Sequence, residues 1–325
     1  MRYYDISLIK QGSSQPFRRW SSNYNGKFDP GALDVEFDMP VAPYGTPLGG
    51  QAITIYGVPL ADLSQAYNFE GTDIVVNGGM QAGLPLANPK QAGMLLRGQV
   101  FQGFGTWQGT DMRLDLIVYP SQYTSDNPGN FVLNWLAGRP LAEALKTTLS
   151  IVYPGVPVDI NVGSNLVFDS DEHHFCATLE ELSQHVGDLT QQAFRQRVEI
   201  AFQAGKIIIF DSTYKAKPVQ LNFTDLIGQP VWLKRNIVQI KTVMRADLEI
   251  GSALKMPTGY LNAPGFAQTS LSAALSDGGG ALPSTGRAAA IFQGDFKVNE
   301  IRHIGRFRSS SGEDWATIIN CVTGD

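Results

Sequence analysis

The sequence predicts a mainly β protein with a small α/β insert, in which two antiparallel β-barrel or β-sandwich domains flank a mixed domain. Three observations carry this. Apolar and polar residues alternate in short runs such as Leu33–Met39 and Trp315–Val322, and a period of two marks a strand with one buried face. Charged residues make up 17% of the chain against 34 glycines and 18 prolines, a balance that suits turn-rich sheets better than helical bundles. Helical periodicity is concentrated between about residues 127 and 215. The expected division is therefore 1–126, 127–215 and 216–325, within the size range of ordinary domains.

In the first part, Tyr4, Ile6 and Leu8 alternate ahead of a Gly12-Ser13-Ser14 turn. Leu33–Met39 alternates over its whole length and is expected to stop at Pro40. A Pro/Gly-rich loop from Pro43 to Gly50 precedes a short strand, Ile53–Tyr56. Asp62–Ala66 reads as a turn or two of helix, and Asp73–Val76 as a strand closed by an Asn77-Gly78 turn. Met94–Phe101 and Met112–Tyr119 complete the set.

In the middle part, Arg139-Pro140 opens a helix whose Leu141, Leu145 and Leu149 share one face. Val156–Ile160 follows as a strand. Thr178 with Glu181 forms a capping-box start for a second helix that points Leu182, Val186 and Leu189 inward. Val198–Phe202 and Lys206–Phe210 flank Ala204-Gly205 as a hairpin.

The last part returns to β. Ile237–Met244 and Ala246–Gly251 read as strands. Phe296–Ile304 turns at Ser309–Gly312 and returns as Trp315–Val322, where Trp315, Thr317, Ile319 and Cys321 share a face. A slip of the apolar phase between Val298 and Ile301 predicts a bulge. Residues 257–290, rich in Gly, Ala, Ser and Pro, cannot build a core of their own and read as a long loop.

Composition excludes several classes. A formal charge of −5 and a pI near 5.4 give no basic surface for sequence-specific nucleic-acid binding. Arg302, His303, Arg306 and Arg308 cluster locally and read as a solvated hairpin at a subunit contact. The start carries no apolar signal-peptide core, and no run approaches the roughly 20 apolar residues of a membrane span. Cys176 and Cys321 read as reduced, buried thiols.

No catalytic, cofactor or metal site is assigned. Asp169-Ser170-Asp171-Glu172-His173-His174 is dense in metal-ligand types, but neighbours in an extended segment point to opposite sides, so the segment reads as a solvated loop. His173, His174, His185 and His303 are the only histidines, and no nucleophile elbow occurs. Gly103-Phe104-Gly105 and Gly278-Gly279-Gly280 lack the lysine and helix of a phosphate cradle. Trp107, Trp135 and Trp232 read as core residues.

The first and last parts also resemble each other. Gly57-Val58-Pro59 leads to Asp73-Ile74-Val75 and to Arg97–Phe101, as Gly228-Gln229-Pro230 leads to Leu248-Glu249-Ile250 and to Gln293–Phe296. Each part then ends in a hairpin. Gly228-Gln229-Pro230, Leu248-Glu249-Ile250-Gly251, Phe296-Lys297-Val298, Arg302-His303-Ile304-Gly305 and Trp315-Ala316-Thr317 resemble the C-terminal portion of phage baseplate hub proteins of the myophage type.

The resemblance implies two tail-tube-like β domains per subunit and a homotrimer. Such a trimer would be a structural, non-enzymatic ring in the virion tail baseplate, assembled in the host cytoplasm. It would join the sixfold tail tube, or a tube-initiating ring, to the threefold central spike, and form part of the DNA conduit. Other baseplate proteins are implied neighbours, with the tape measure protein a further candidate, and no membrane is involved. An acidic chain would suit the conduit by presenting a negative wall to phosphate. The alternative is a tail-associated cell-wall hydrolase or polysaccharide-binding module.

Overall fold

Alternating side chains build most of the molecule. The computed structural model describes residues 1–44, 50–81, 88, 91–216, 218–234, 236–257 and 295–323, so the Pro43–Gly50 loop is described only at its ends and nearly all of the 257–290 segment lies outside. The first part contains β1 (Arg2–Ile9), β2 (Pro16–Ser21), the small hairpin β3 (Asn23–Tyr24) and β4 (Lys27–Phe28), β5 (Asp34–Val41) and β6 (Gln51–Tyr56). A short α1 (Leu60–Leu63) and a 3-10 turn at Ala66–Phe69 lead to β7 (Asp73–Met80), β8 (Gly93–Gln108) and β9 (Asp111–Tyr119).

The middle part contains β10 (Phe131–Trp135), α2 (Leu141–Val152), β11 (Val158–Asn161), β12 (Glu172–Cys176), α3 (Leu179–Phe194), β13 (Glu199–Gln203) and β14 (Lys206–Phe210). The last part contains β15 (Val219–Gln220), β16 (Val231–Lys234), β17 (Ile237–Val243), β18 (Ala253–Lys255), β19 (Asp295–Arg306) and β20 (Trp315–Thr323).

One sheet runs through both terminal parts in the order β16-β17-β20-β19-β5-β6-β9-β8-β7-β1-β2, with β18 and β15 beside the start of β19. The seam is the antiparallel pairing of β19 with β5, which sets Ile301 opposite Val41 and Arg306 opposite Glu36. The fold is thus mainly β with an α/β insert.

Three cores support it. Tyr4, Ile6, Leu8, Val35, Phe37 and Met39 belong to the first. Leu141, Leu145 and Leu149 of α2 meet Leu182 and Val186 of α3 and the β10 residues Phe131, Leu133 and Trp135 in the second. Val238, Ile240, Phe296, Val298, Ile319 and Cys321 form the third. The apolar run Lys206–Phe210 reads as a strand buried on both faces. Ile207 and Ile209 of β14 enter the second core, while Ile208 and Phe210 enter the third.

The Ala204-Gly205 hairpin forms with both residues at positive φ, 48° and 77°, as a two-residue turn requires. The bulge in β19 also forms, as a register shift between Val298 and Glu300. Thr178 caps α3 by accepting from the Glu181 N–H at 3.2 Å, and the Glu181 carboxylate accepts from the N–H of Ala177.

Four expectations are corrected. β5 runs through Pro40 to Val41; Pro40 sits opposite Arg302, and its carbonyl accepts from Gln51 Nε2 at 2.9 Å. Asn77-Gly78 is no turn, because β7 continues to Met80 with Gly78 opposite Tyr4. A Cβ on Gly78 would collide with Leu95 and lie 3.3 Å from Met244 Sδ, so close packing explains the glycine.

Ala246–Gly251 is not a strand, although Leu248 and Ile250 are buried. The Gln203 amide stands in for a strand partner, donating to the Leu248 carbonyl at 2.7 Å and accepting from the Ile250 N–H at 2.9 Å. Finally, Glu172–Cys176 is strand β12 rather than a loop, paired with β10.

Candidate functional site

The residues that sequence reading weighed for chemistry are dispersed. On β12, His173 is exposed on one side, while His174 stacks on His185 of α3 with ring centroids 3.7 Å apart and planes within 7°. Glu172 lies 3.6 Å from His185 Nε2. Burial and then His174 push the His185 imidazole toward its neutral form. Among the described residues, no group of three or more His, Cys, Asp or Glu is arranged to hold a metal ion.

His303 is fully buried and hydrogen-bonds Thr317 Oγ1 through Nδ1 at 3.0 Å. Burial lowers its pKa to about 4. The expected basic cluster is therefore split, with His303 inward and Arg302 and Arg306 on the opposite face. Arg308 instead donates to the carbonyls of Pro30 and Ala32.

Cys176 and Cys321 are buried free thiols, pushed up to about 11 and about 12 by burial. Trp135 is core as expected, but Trp107 is 65% exposed near the tip of the β8–β9 hairpin. A cleft of about 650 Å³ lies where the end of β5, the Tyr119–Asp126 connection and the start of α3 meet. Its described lining holds the carboxylates Asp126, Glu180 and Glu181 and the hydroxyls Ser121, Thr124, Ser125 and Thr178, and no histidine, cysteine, lysine or arginine.

What the structure does bring together is a pair of matched hairpins. β8 pairs with β9 and bulges between Val100 and Gln102, as β19 pairs with β20 and bulges between Val298 and Glu300. Val100 exchanges two backbone hydrogen bonds with Gly71 and Thr72, and Val298 exchanges the same two with Gly251 and Ser252. Gly71 and Gly251 both sit at positive φ, 74° and 81°. β7 and β18 then follow these glycines and pair with the matching stretch of β8 and β19.

The equivalence is thus Val100 with Val298 and Gly71 with Gly251. Gly57 and Gly228, the sequence match, occupy different places: Gly57 follows β6, whereas Gly228 lies between the Leu226–Thr242 bridge and β16. Short, divergent segments hid a correspondence that hydrogen bonds reveal.

The matched hairpins differ at one edge. Ile301–Arg306 of β19 is covered by β5. The corresponding stretch of β8, Gly103–Gln108, pairs only with β9 among the described residues. At the far end of the sheet β16, the counterpart of β5, pairs only with β17 among the described residues and exposes Val231 and Leu233. Phe101, Phe104 and Trp107 are exposed beside the open β8 edge. Such edges invite pairing with another chain.

The sheet face turned away from the cores carries a polar belt. Gln239 donates to Asn320 at 3.1 Å, and Asn320 to Glu300 at 2.8 Å. Across the seam Arg302 makes a two-pronged ion pair with Asp38, and Arg306 lies 3.9 Å from Glu36. The Tyr56 hydroxyl donates to Glu36 at 3.4 Å, Thr54 donates to Asp115 at 2.7 Å, and Arg113 donates to Asp115 at 2.8 Å. The hydrogen bond from Arg302 to Asp38 raises the guanidinium pKa further.

No protein-family model matches the sequence, and no curated protein is similar to it in sequence. Solved structures do match. The 43 kDa tail protein of prophage MuSo2 from Shewanella oneidensis aligns with a TM-score of 0.52 at 9% identity, covering 100% of this chain and 98% of its own. A tail protein from Neisseria meningitidis MC58 gives 0.50 at 9% identity, covering 98% and 96%. An E. coli component of the type VI secretion system, described as similar to the T4 bacteriophage tail proteins gp27 and gp5, gives 0.51 at 9% identity, covering 98% of this chain and 77% of that one. Sequence identity is low throughout, and the likeness is one of fold: this chain has the fold of phage tail proteins.

Proposed function

We propose that the protein is a structural, non-enzymatic baseplate hub of a phage tail. Three copies close a ring that adapts the sixfold tail tube to the threefold spike and lines part of the DNA conduit. The division into tube-like modules at 1–126 and 216–325 with an insert at 127–215 belongs to the same proposal. So do the virion location and the contacts with tube, spike and other baseplate proteins. The fold shared with two tail proteins, and with a type VI secretion component described as similar to gp27 and gp5, supports the reading.

The observation that carries it is the unequal edge. Within one chain β5 fills the edge of the C-terminal hairpin, while among the described residues the matching edge of β8 is open and β16, at the other end, is paired on one side only, with β17. Seating β16 of one copy on β8 of the next repeats the β5–β19 seam between chains. A heterologous contact of this kind closes into a ring when its rotation divides a full turn. Two such modules per chain then give six near-equivalent positions from three copies.

The register follows. Ile304 lies opposite Asp38 at the internal seam. Counting from the two bulges, Thr106 corresponds to Ile304, and Val231 corresponds to Asp38 through their partners on β17 and β6. Thr106 of one copy therefore faces Val231 of the next. Oxidised T106C/V231C protein is expected to run as a covalent trimer on a denaturing gel, with each single variant monomeric. A chain that stays monomeric by light scattering at high concentration and forms no cross-link overturns the ring.

A further inference from the structure

We infer that the polar belt is a self-neutralised wall, built so that its cations cannot hold a passing polyanionic duplex. The inference rests on the ring reading, which turns one face of the sheet toward the conduit. That face is the polar one, because the opposite face is occupied by the first and third cores.

Among the described residues, its cations Arg113, Lys241, Arg302 and Arg306 are each set against a carboxylate: Asp115, Glu313, Asp38 and Glu36 respectively. These pairs are half-exposed, with Arg302 and Asp38 at 47% and 42%, and exposed pairs of this kind contribute little to stability. Their consequence is electrostatic. Arg302, forked onto Asp38 through Nε and Nη2, has its side-on donors occupied and its charge countered, so a phosphate must compete with the carboxylate, and the field of each such pair is largely screened beyond a Debye length of about 8 Å.

Two of the pairs span the seam between the two modules, Arg302–Asp38 and Arg306–Glu36. Neutralisation is therefore written across strands that are distant in sequence. This refines the expectation of a uniformly negative wall drawn from net charge alone. The face carries both signs, with Glu300 accepting from the Asn320 amide and acting electrostatically on Arg302.

The test removes the carboxylates and keeps the arginines. Duplex DNA binding is measured by fluorescence anisotropy at low salt for the wild-type protein and for E36Q/D38N. A third protein, E143Q/E180Q, makes the same net charge change on the insert. The belt variant is expected to bind at least about tenfold more tightly than this control, with affinity falling steeply as salt rises, and adding R302Q/R306Q is expected to abolish the gain. Equal binding by belt variant and control, or tight binding by the wild type, overturns the inference. The comparison reads the same face in a ring or a single copy. Light scattering on the same samples therefore separates failure of the ring from failure of the belt.

Discussion

The two β modules share a hairpin, a bulge and a glycine clip, and differ in what surrounds them. In the N-terminal module, α1 and the following 3-10 turn press against the far half of β8, where a Cβ on Gly103 or Gly105 would strike the carbonyls of Ala66 and Leu63. The matching positions of β19, counted from the bulge, are Ile301 and His303, both buried. One hairpin is covered by backbone and needs glycine; the other is covered by side chains and fills the same space with them. The C-terminal module also borrows Ala201, Ile208 and Phe210 from the insert to finish its core. Near-duplicate strands can thus tolerate different neighbours while keeping the edge geometry that a repeated contact needs.

The largest expected effect breaks the link between the modules. Arg245 is 2% exposed and forks onto Asp247 at 2.7 Å while reaching Asp225 at 3.3 Å, and Asp225 also accepts from Gln91 of the first part at 3.1 Å. Arg245→Ala leaves the buried Asp225 charge uncompensated. Denaturant unfolding should show a loss of about 3–5 kcal/mol.

Next comes the residue that replaces glycine in the second hairpin. The folded pKa of His303 is about 4, below the unfolded value, so the native state binds fewer protons than the unfolded chain between these limits. Its contribution is complete above about pH 6.5 and is lost as pH falls toward 4, by about 3 kcal/mol at the lower limit. H303Q should flatten that part of the pH–stability curve. A slope unchanged by the substitution would assign the acid sensitivity elsewhere.

The smallest effect sharpens the comparison from the other hairpin. Gly105→Ala should destabilise by about 1–3 kcal/mol through overpacking against Leu63, measured as a lowered Tm. If the variant were as stable as the wild type, the backbone cover of β8 would be softer than its packing indicates.

Much of this was legible in the residues. Alternation placed β1, β5, β6, β17 and β20, leucine spacing placed α2, and the phase slip after Val298 located the bulge in β19. What escaped was decided by partners distant in sequence. Pro40 stays in a strand because its carbonyl finds Gln51, and Ala246–Gly251 leaves one because Gln203 replaces the ladder. The open edge of β8 carries no local signal, since an unpaired strand has the same side-chain pattern as a paired one. The belt was hidden for a similar reason: Arg302 and Asp38 lie 264 positions apart, and only the seam brings them together.

β14 has one further consequence, for how firmly the insert is held. Because Ile207 and Ile209 anchor in one core while Ile208 and Phe210 anchor in another, the strand acts as a party wall between two rooms. The insert is thus fixed to the C-terminal sheet by the packing of one strand's side chains, without a shared hydrogen-bond ladder.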